Sequence, residues 1–490
     1  MKRGIKIVQT RWIDINKGDA ANPVYRSRLV AKEFNVDKQS GLFAATPPLE
    51  ALKMLVSDVA TCDAGTEDKV FMVNDVARAF FEAPVTRDMC VEMPEEARAE
   101  GEGDMVALLK KSLYGTRDAA ANFQSEVRKV MKSMGFRVGR YNVSTYYHRT
   151  KQLKTMVHGD DFVTSGGRRE VQWLKEQLQK RFEIKTTIVG RRNVEAKEVR
   201  VLNRVVRVTE GGWEYEADQR HGELIVQTLG MEGSKPVCSP GEDLKPWEEE
   251  NDKEKLQGAK ATEYRGLAAR ANYLALDRSD IQYAVKEICR GMAAPTVGDR
   301  KKLKRLARYL VGVPRVVWKY DTQWAAGGFQ GYSDSDWAGC KRTARSTSGG
   351  TIMLGQHCLK TWSATQKSIT LSSGEAELVA AVKMSTELIG MCQLARDWGM
   401  ELRAKVWVDS SAALGVAARR GNGKLRHVRV GMLWIQEKLE EGELEMAKVK
   451  GEENPADLMT KNLGRRIIDK HMEMMRQQQT EGRADLGLRI

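Results

Sequence analysis

Two groups of acidic residues are the positions of this sequence best suited to chemistry. In the first group, Asp75 ends an apolar stretch in MVNDVARAFF, and Asp160 and Asp161 lie in TMVHGDDFVTSG, where Gly159 and Asp160 predict a turn between two apolar strands. Carboxylates at the ends of buried strands cost free energy unless they are solvated, paired or bound to a metal ion. Their oxygen ligands suit Mg²⁺, which keeps several waters and bridges substrate phosphates. Hairpin-turn chemistry alone is the competing interpretation.

The second group lies in the last third of the chain. Asp334 and Asp336, in GYSDSDWAGC, are two residues apart on a predicted strand and therefore face the same side. Asp409 ends a predicted strand in VWVDSSAAL, and Asp457 begins a short predicted helix in ENPADLMTK. A strand-end Asp can also cap the next helix, so each acid has a structural interpretation as well.

A predicted helix in SSGEAELVAAVKMSTELIG separates these acids. We predict Ser373 as its N-cap, with Glu375 and Glu377 in the first turns. The helix dipole favours acids at that end whatever their function. Four acids at element ends in strand–helix–strand–helix order are nevertheless harder to explain by capping alone.

The elements that must position these acids follow from hydrophobic periodicity and residue propensity. In the first block we predict strands at 69–76, 144–150 and 154–166 and helices at 117–134 and 168–182. In the last block we predict strands at 329–337, 349–354, 358–363, 404–410 and 443–450, a long helix at about 374–398, two helices up to about 441 and a short helix around 457–462. Three hairpin strands, a helix and parallel crossovers indicate an α/β layer fold.

Composition narrows the class of protein. The 490 residues include 80 Lys and Arg against 66 Asp and Glu, and 41% are hydrophobic, which is a globular composition with room for about three domains. No apolar run reaches the roughly 18 residues of a membrane span, and no signal-peptide core is visible. Seven dispersed cysteines without a CxxC pair argue against a disulfide scaffold or zinc finger. We expect an intracellular protein, cytoplasmic or nuclear, without membrane contact.

The formal net charge of +14 is concentrated in two stretches. Residues 1–34 and 299–321 each contain eight Lys or Arg. Such patches bind nucleic acid by releasing counterions, although a solvated helix face is the alternative for any one of them. We predict the helix around 299–310 as a track for phosphates.

Composition shifts near 190, 325 and 464 divide the chain into four predicted segments. These are a first domain at 1–190, a connecting region at 191–325, an α/β domain at 326–463, and a helix with a frayed tail at 464–490. Within the connecting region, the charged segment 239–258 is predicted to be an exposed loop.

The order of several motifs resembles the reverse transcriptase of copia-type LTR retrotransposons. That family has R-LVAKGF, DV–AFL, L-K-LYGL and YVDD in sequence, and this chain has NPVYRSRLVAKEF (22–34), DVARAFFEA (75–83), ALLKKSLYGTR (107–117) and MVHGDDFV (156–163). The resemblance continues through YRGLAARANYLALDRSDIQYAV (264–285) and RYLVG (308–312) to DSDWAG, RSTSGG and NPADLMTK, which resemble a ribonuclease H domain. It covers roughly residues 10 to 463.

The resemblance implies a right-hand polymerase followed by a ribonuclease H-like α/β domain. Residues 1–190 would be fingers and palm, beginning in the middle of the family's fingers, and 191–325 the thumb and connection. The implied catalytic and metal-binding acids are Asp75, Asp160 and Asp161 in the polymerase and Asp334, Glu377, Asp409 and Asp457 in the nuclease. Asp336 and Glu375 are second candidates for the metal-binding roles, and a structural or supporting role is favoured for both.

The resemblance also implies a nucleotide pocket. Phe80 would be the aromatic gate under the incoming sugar, with Phe81 a core residue. Cations that would contact the triphosphate and residues that would line the pocket are Arg26, Arg28, Lys32, Tyr114 and Gly115. For Arg26 and Lys32 a role as plain surface cations is an equal alternative.

The implied activity is RNA-directed DNA polymerase with ribonuclease H, using two Mg²⁺ ions per site, or Mn²⁺. The implied partners are an RNA template, a DNA primer, an RNA–DNA hybrid and deoxynucleoside triphosphates. Departures from the family pattern are His158 and Gly159 for Tyr-Val, Phe123 for Trp, Glu33 for Gly, and no His before the last acid; we interpret His427 as a helix-face residue. Two alternatives stay open: ribonuclease H activity only, and a non-catalytic nucleic-acid-binding remnant.

Overall fold

The computed structural model describes residue 5 and residues 7–16, 22–34, 41–62, 68–101, 105–243, 252–423, 427 and 430–488. The chain folds as two compact units, Met1–Pro48 with Met72–Thr187 and Leu49–Phe71 with Ile188–Ile490. Segment 49–71 therefore packs with the C-terminal part of the chain although it lies within the N-terminal block.

The strands, in chain order, are β1 (Ile7–Val8), β2 (Thr10–Asn16), β3 (Tyr25–Ala31), β4 (Thr61–Cys62), β5 (Lys69–Val76), β6 (Cys90–Glu92), β7 (Val106–Leu108), β8 (Arg137–Val138), β9 (Thr145–His148), β10 (Leu153–His158), β11 (Asp161–Gly167), β12 (Ile184–Val189), β13 (Glu198–Val201), β14 (Arg204–Val208), β15 (Gly212–Glu216), β16 (Arg315–Asp321), β17 (Gln323–Trp324), β18 (Gly328–Cys340), β19 (Arg345–Leu354), β20 (His357–Thr365), β21 (Arg403–Val408), β22 (Glu445–Lys448) and β23 (Gln477–Thr480).

The α-helices are α1 (Leu49–Ala60), α2 (Ala119–Ser133), α3 (Arg168–Gln179), α4 (Arg220–Thr228), α5 (Gly258–Ala275), α6 (Gln282–Cys289), α7 (Val297–Gly312), α8 (Ser373–Asp397), α9 (Ser411–Ala417), α10 (Trp434–Glu440) and α11 (Arg465–Met474). Short 3₁₀ helices include Ala79–Glu82 and Pro455–Met459. The architecture is a mixed α/β arrangement of several sheets, as the sequence predicted.

A six-stranded sheet built mainly from residues of the first unit has the strand order β12-β5-β11-β10-β9-β8. Strand β5 is apolar on both faces, with Val70, Phe71 and Met72 fully buried. Helix α2 buries Phe123, Val127 and Met131, which the spacing of four residues places on one face. Buried apolar residues therefore hold the strand whose end carries Asp75.

The α/β layer of the second unit is a five-stranded sheet with the order β20-β19-β18-β21-β22. Strands β18, β19 and β20 are antiparallel neighbours, whereas β21 pairs in parallel with β18 and β22. Helix α8 packs against β18, β19 and β21. This confirms the predicted order of three hairpin strands, a helix and parallel crossovers.

Among the described residues, one helix is long and apolar enough to cross a membrane by length and composition, and it is α8. Its most apolar window is 56% buried inside the protein. Packing against the sheet accounts for this composition, because a core helix must present apolar side chains to the strands that it covers.

A buried ion pair connects α1 to the rest of the second unit. The Lys53 ammonium lies 3.1 Å from an oxygen of Asp277 and 3.6 Å from the centre of the Trp318 ring. The other Asp277 oxygen lies 3.0 Å from Arg204. The Asp277 carboxylate thus contacts two cations, which offsets part of the desolvation cost of burying these charges and gives α1 a specific position in this unit.

One prediction about the second unit was wrong. The predicted frayed tail contains β23, which pairs antiparallel with β16 and places Gln477 opposite Trp318. In the predicted exposed loop 239–258, most of the residues that the structure describes are exposed, and Asp252 is a buried exception that pairs with Lys301 at 2.6 Å. The tail is polar in sequence, and its strand forms through long-range pairing, which local composition does not reveal.

Candidate metal-binding active sites

The first acid group lies where two neighbouring strands end. Asp75 is the penultimate residue of β5, and the amide of Val76 donates to the carbonyl of Asp160 over 3.1 Å. His158 pairs with Asp161 across the β10–β11 hairpin, so Gly159 and Asp160 form a two-residue turn, with Gly159 at φ 63°. This confirms the predicted turn, in which a glycine supplies the positive φ. The turn carries Asp160 and Asp161 to the edge that holds Asp75.

The Asp161 carboxyl group lies within electrostatic reach of the other two acids. Burial, followed by the negative charges of Asp160 and Asp75, raises the pKa of Asp161 to about 6. Asp75 itself is exposed. Repulsion of this kind is what a divalent cation relieves, so the three acids suit a metal site.

Tyr114 lies at the centre of the residues predicted to bind a nucleotide. The Arg28 guanidinium is 5.1 Å from the centre of its ring, and the Phe80 ring is at 4.6 Å. Burial raises the pKa of Tyr114, Arg28 and Arg26 lower it, and Asp160 and Asp75 raise it. The aromatic, cationic and acidic residues of the prediction therefore lie within electrostatic reach of one hydroxyl group.

Phe80 and Phe81 differ from the prediction in one respect. Both lie in the 3₁₀ helix Ala79–Glu82 and contact the Tyr114 ring, Phe81 edge-on at 5.7 Å. Phe80 also contacts Phe123 at 6.3 Å. Phe81 is 39% exposed, so its prediction as a core residue was wrong. Neighbouring side chains of a 3₁₀ helix point in different directions, and the Phe80 side chain is the more buried of the two.

Gly115 allows two backbone segments to approach closely. The amide of Ala31 donates to the carbonyl of Tyr114 over 2.7 Å, and the amide of Lys32 donates to Gln9 over 2.7 Å. Gly115 has φ 86°, and a Cβ there would overlap the carbonyl oxygen of Ala31. No other residue type fits this position without strain. Lys32 is thus held beside the Tyr114–Gly115 segment through its backbone.

Glu33, a departure from the family pattern, forms a buried carboxylate clamp that sequence reasoning missed. Its side chain is 0% exposed and accepts hydrogen bonds from Arg87, at 2.8 Å to Oε1, and from the amide of Arg117 at 2.9 Å. Arg87 also donates to Asp118. Glu33 and Arg87 are far apart in sequence, so their pairing could not be predicted. The one indication was an acidic residue at position 33, where the family has Gly.

The second acid group converges more tightly. In the part of the chain that the structure describes, Asp334, Glu377 and Asp409 are the three acids whose ligand atoms all lie within 4.8 Å of one another. Asp334 lies on β18, Glu377 in the first turns of α8, and Asp409 directly after β21. The parallel pairing of β21 with β18 brings Asp409 to the strand that carries Asp334.

Glu377 fits a ligand for a divalent cation. Its Oε1 accepts from the amide of Ser335 at 3.1 Å, whereas its Oε2 is buried without a hydrogen-bond partner. Burial, followed by the charges of Asp334 and Asp409, raises the pKa of Glu377 to about 9. Since buried polar atoms are normally satisfied, an orphaned carboxylate oxygen facing two other acids fits the residues of a cation site.

Asp457 lies beside this group and is linked to it by two residues that the sequence analysis did not single out. Thr460 donates to an Asp334 oxygen, and Lys461 lies 3.1 Å from Asp457 and 3.9 Å from Asp334. Burial and the charge of Asp334 raise the pKa of Asp457 to about 6, against the effect of Lys461. Its Oδ1 is buried without a partner. The motif NPADLMTK contained both residues, three and four positions after the acid.

Neighbouring polar side chains fix the backbone around the second group. Asn454 donates to the carbonyl of Ser333 over 2.9 Å and accepts from Ala456, which ties the 3₁₀ helix of Asp457 to β18. Gln366 donates to Ser335 and to the carbonyl of Ala376. The acids are therefore held on rigid elements, which catalytic carboxylates require.

The helix caps differ partly from the prediction. The N-cap of α8 is Ser372, whose hydroxyl accepts from the amide of Glu375 at 3.2 Å, so the prediction of Ser373 was wrong by one residue. Helix α9 is capped by Ser410, which accepts from Ala413 at 3.2 Å. Because Ser410 supplies this cap, capping does not account for Asp409.

Asp336 and Glu375 make structural contacts. Asp336 accepts from the amide of Thr347 on the neighbouring strand. Glu375 accepts from the amide of Leu371 at 2.8 Å and lies 3.1 Å from His427 Nε2. His427 lies in a turn, so its interpretation as a helix-face residue was wrong.

The predicted phosphate track, α7, has more internal pairing than its sequence suggests. Arg300 pairs with Glu263 at 3.0 Å, Lys301 with Asp252, and Arg305 with Glu242 at 2.6 Å. Thr296 and Asp299 form a capping box at its N-terminus. Much of the positive charge of this helix is thus compensated within the unit.

The protein is a mixed α/β protein with two groups of acidic residues, one of which brings three carboxylates within 4.8 Å of one another. Residues 1–192 match the family model described as reverse transcriptase (RNA-dependent DNA polymerase). The chain is 28% identical over 478 residues to the retrovirus-related Pol polyprotein from transposon RE1 of Arabidopsis thaliana, covering 94% of this chain and 31% of that protein. With the corresponding protein from transposon TNT 1-94 of Nicotiana tabacum it shares 24% identity over 501 residues, covering 97% of this chain and 36% of that protein.

The chain is thus similar over most of its length to the Pol polyproteins of plant retrotransposons, and its first 192 residues match the reverse transcriptase family model. It spans about a third of the length of the curated relatives that it matches. Among solved structures, LC11-RNase H1 is similar over 30% of this chain and 99% of its own, with 18% identity and a TM-score of 0.22. That score is too low to support a functional conclusion.

Proposed function

We propose that this chain copies RNA into DNA at the first acid group and cleaves the RNA strand of an RNA–DNA hybrid at the second. The observation that carries the proposal is the second group, in which Asp334, Glu377 and Asp409 offer ligand atoms within 4.8 Å of one another. The orphaned Oε2 of Glu377 supports a cation there.

At the cleavage site, a bound pair of Mg²⁺ ions would supply an activated water and stabilise the departing oxygen. Asp334, Glu377, Asp409 and Asp457 would hold the ions. The amide of Ser335 donates a hydrogen bond to Oε1 of Glu377 over 3.1 Å and so orients the carboxylate. Lys461 contributes positive charge beside Asp457 and Asp334, which limits their repulsion.

At the polymerase site, Asp75, Asp160 and Asp161 would hold Mg²⁺ or Mn²⁺, with an RNA template, a DNA primer and deoxynucleoside triphosphates as substrates. Arg28, with Arg26 and Lys32, would neutralise the triphosphate. Phe80, packed on Tyr114 at 4.6 Å, would lie under the incoming sugar. In this proposal, residues 1–190 act as fingers and palm, 191–325 as thumb and connection, and 326–463 as the ribonuclease H-like domain.

A narrower function, ribonuclease H activity without synthesis, has one observation in its favour. Among the described residues, the ligand atoms of three acids of the second group all lie within 4.8 Å of one another. Those of Asp75, Asp160 and Asp161 do not meet this distance. In that case the first group would bind nucleic acid without joining nucleotides.

Two variants test both activities in the full chain. We expect Asp160→Asn to reduce Mg²⁺-dependent primer extension on RNA by more than about 100-fold while sparing hybrid cleavage, because even outer partners of a metal site cost about 10- to 100-fold. Asp409→Asn should do the reverse, so that each variant is the folding control for the other.

Three results would contradict the proposal in different ways. Hybrid cleavage without primer extension in the wild-type chain would select the narrower function. Salt-sensitive binding with neither reaction would leave a nucleic-acid-binding remnant. An Asp160→Asn chain as active in extension as the wild type would show that the first site is wrongly assigned.

A further inference from the structure

Trp337 is an exposed aromatic residue that is held in one orientation beside the second acid group. The β18–β19 register shifts between Asp336 and Cys340, so Trp337 lies in a bulge two residues after Ser335. Its ring is attached to the neighbouring loop, because the indole Nε1 donates to the carbonyl of Thr370 over 3.2 Å. Trp337 is nevertheless 53% exposed.

The backbone of the bulge is also fixed. Ala338 has φ 54°, in the left-handed region that few residues other than glycine adopt, and its amide donates to Ser346 over 3.0 Å. The Ser346 hydroxyl lies 3.1 Å from that of Thr370. Bulges of this kind re-aim side chains next to active sites.

Two further exposed apolar residues flank the attachment point. Ile369 is 56% and Leu371 is 66% exposed, and together with Trp337 they form what we call the Trp337 patch. The amide of Leu371 donates to Glu375, two residues before Glu377. A hydrogen bond therefore links the patch to the helix turn that carries Glu377, and exposed apolar patches commonly mark binding surfaces.

The charge around the patch indicates the chemistry of its partner. Residues 337–347 and 366–371 contain no acid and four cations. The four, all exposed, are Lys341, Arg342, Arg345 and Lys367. An apolar surface bordered by positive charge complements a nucleic acid, which presents sugar and base edges between phosphates.

We propose that the Trp337 patch contacts the sugar and base edges of the RNA–DNA hybrid next to the cleaved strand, and that Trp337 determines hybrid affinity. The inference rests on the hybrid-cleaving function proposed above. The ring is fixed before binding, so little conformational entropy is lost on contact. A flat aromatic contact is independent of sequence, which suits an enzyme that must cleave along a whole hybrid.

The test uses the full chain and a hybrid of about ten base pairs, one helical turn. We expect Trp337→Ala to raise KM for cleavage about tenfold, the loss of one exposed aromatic contact, with kcat within about twofold. Trp337→Phe should recover part of the affinity. Trp324→Ala is the matched control, since Trp324 is 73% exposed in the same unit, and it should leave KM unchanged.

Binding of the same hybrid in EDTA, measured by fluorescence anisotropy, separates this inference from the proposed function. If the wild-type chain does not cleave but Trp337→Ala still weakens binding about tenfold, the cleavage function fails and the contact stands. Unchanged KM and unchanged binding in Trp337→Ala would overturn the inference. Loss of self-association in that variant, with unchanged hybrid binding, would also overturn it, by assigning the patch to a second copy of the chain.

Discussion

The ammonium group of Lys461 lies 3.1 Å from a carboxylate oxygen of Asp457, four residues earlier in the chain, and 3.9 Å from Asp334. One cation is therefore shared by two acids, and it opposes the rise in the pKa of Asp457 that burial and the charge of Asp334 cause. The arrangement leaves three acids facing one another and a lysine at their border.

Removing this cation should have opposite effects on the metal-free and metal-bound protein. We expect Lys461→Met to lower the melting temperature in EDTA by about 2 °C, because repulsion between Asp457 and Asp334 is no longer compensated. The stabilisation by Mn²⁺ should become larger, since the lysine no longer competes for the same acids. Differential scanning fluorimetry with and without Mn²⁺ measures both effects.

Lys450→Met is the control for that experiment, because Lys450 is 76% exposed and pairs with Glu453 at 3.8 Å. It should change neither value. A Lys461→Met protein that gains no additional stabilisation from Mn²⁺ would show that the lysine and a cation do not share the site.

Glu377 predicts the pH dependence of stability in the metal-free protein. Its pKa is about 9 in the folded chain against an ordinary value of 4.5, so the folded state binds the extra proton between these pH values. Stability from this group is present at low pH and is lost as pH rises toward 9. We expect the melting temperature in EDTA to fall between pH 6 and pH 9 by less in Glu377→Gln than in the wild type.

Mg²⁺ or Mn²⁺ should reverse that trend, since metal binding replaces the proton and becomes stronger as pH rises. Titrations of each cation at two pH values, followed by melting temperature, provide the measurement. Equal slopes for wild type and Glu377→Gln in EDTA would mean that this carboxyl group is not the one that titrates.

Gly115→Ala should damage the first site selectively. A Cβ at this position meets the carbonyl of Ala31 in a backbone with φ 86°, so we expect a loss of about 1–3 kcal/mol in the stability of the first unit. Primer extension should fall, while hybrid cleavage should be retained. Urea unfolding followed by circular dichroism gives the free energy.

Gly101→Ala is a matched control, because Gly101 has φ 89° and no atom within 4 Å of its would-be Cβ. It carries the backbone strain without the overlap. If the two variants lose the same stability and activity, the close approach of Ala31 is not what Gly115 provides.

Glu33→Gln tests the carboxylate clamp. The change removes the charge that Arg87 and the Arg117 amide bind, and hydrogen bonds to charged groups are worth about 1.5–3 kcal/mol. We expect lower stability and a raised KM for deoxynucleoside triphosphates, because the clamp joins the segment of Lys32 to that of Tyr114. The kcat of extension should change less than KM.

The comparison variant is Glu95→Gln, at an exposed acid of the same unit. A normal KM and normal melting temperature in Glu33→Gln would show that the clamp positions nothing at the site.

Local sequence determined the parts of this protein that depend on neighbours in the chain. The alternation and apolar runs predicted β5, β10, β11 and the five strands of the α/β layer, and Gly159 with Asp160 predicted the hairpin turn. Motif order predicted the family, now supported by the match of residues 1–192. Apart from the motif order, each of these signals lies within a few residues of the feature that it specifies.

Long-range contacts were decided by the tertiary structure alone. The tail that was predicted to be frayed contains β23, which pairs with β16. Cations of α7 form ion pairs with acidic residues of other segments. Which acids converge, and that Lys461 joins them, depends on how β18, β21 and α8 pack. The free energy of a buried charge is set by the residues around it in space, and the sequence does not reveal those neighbours until the chain has folded.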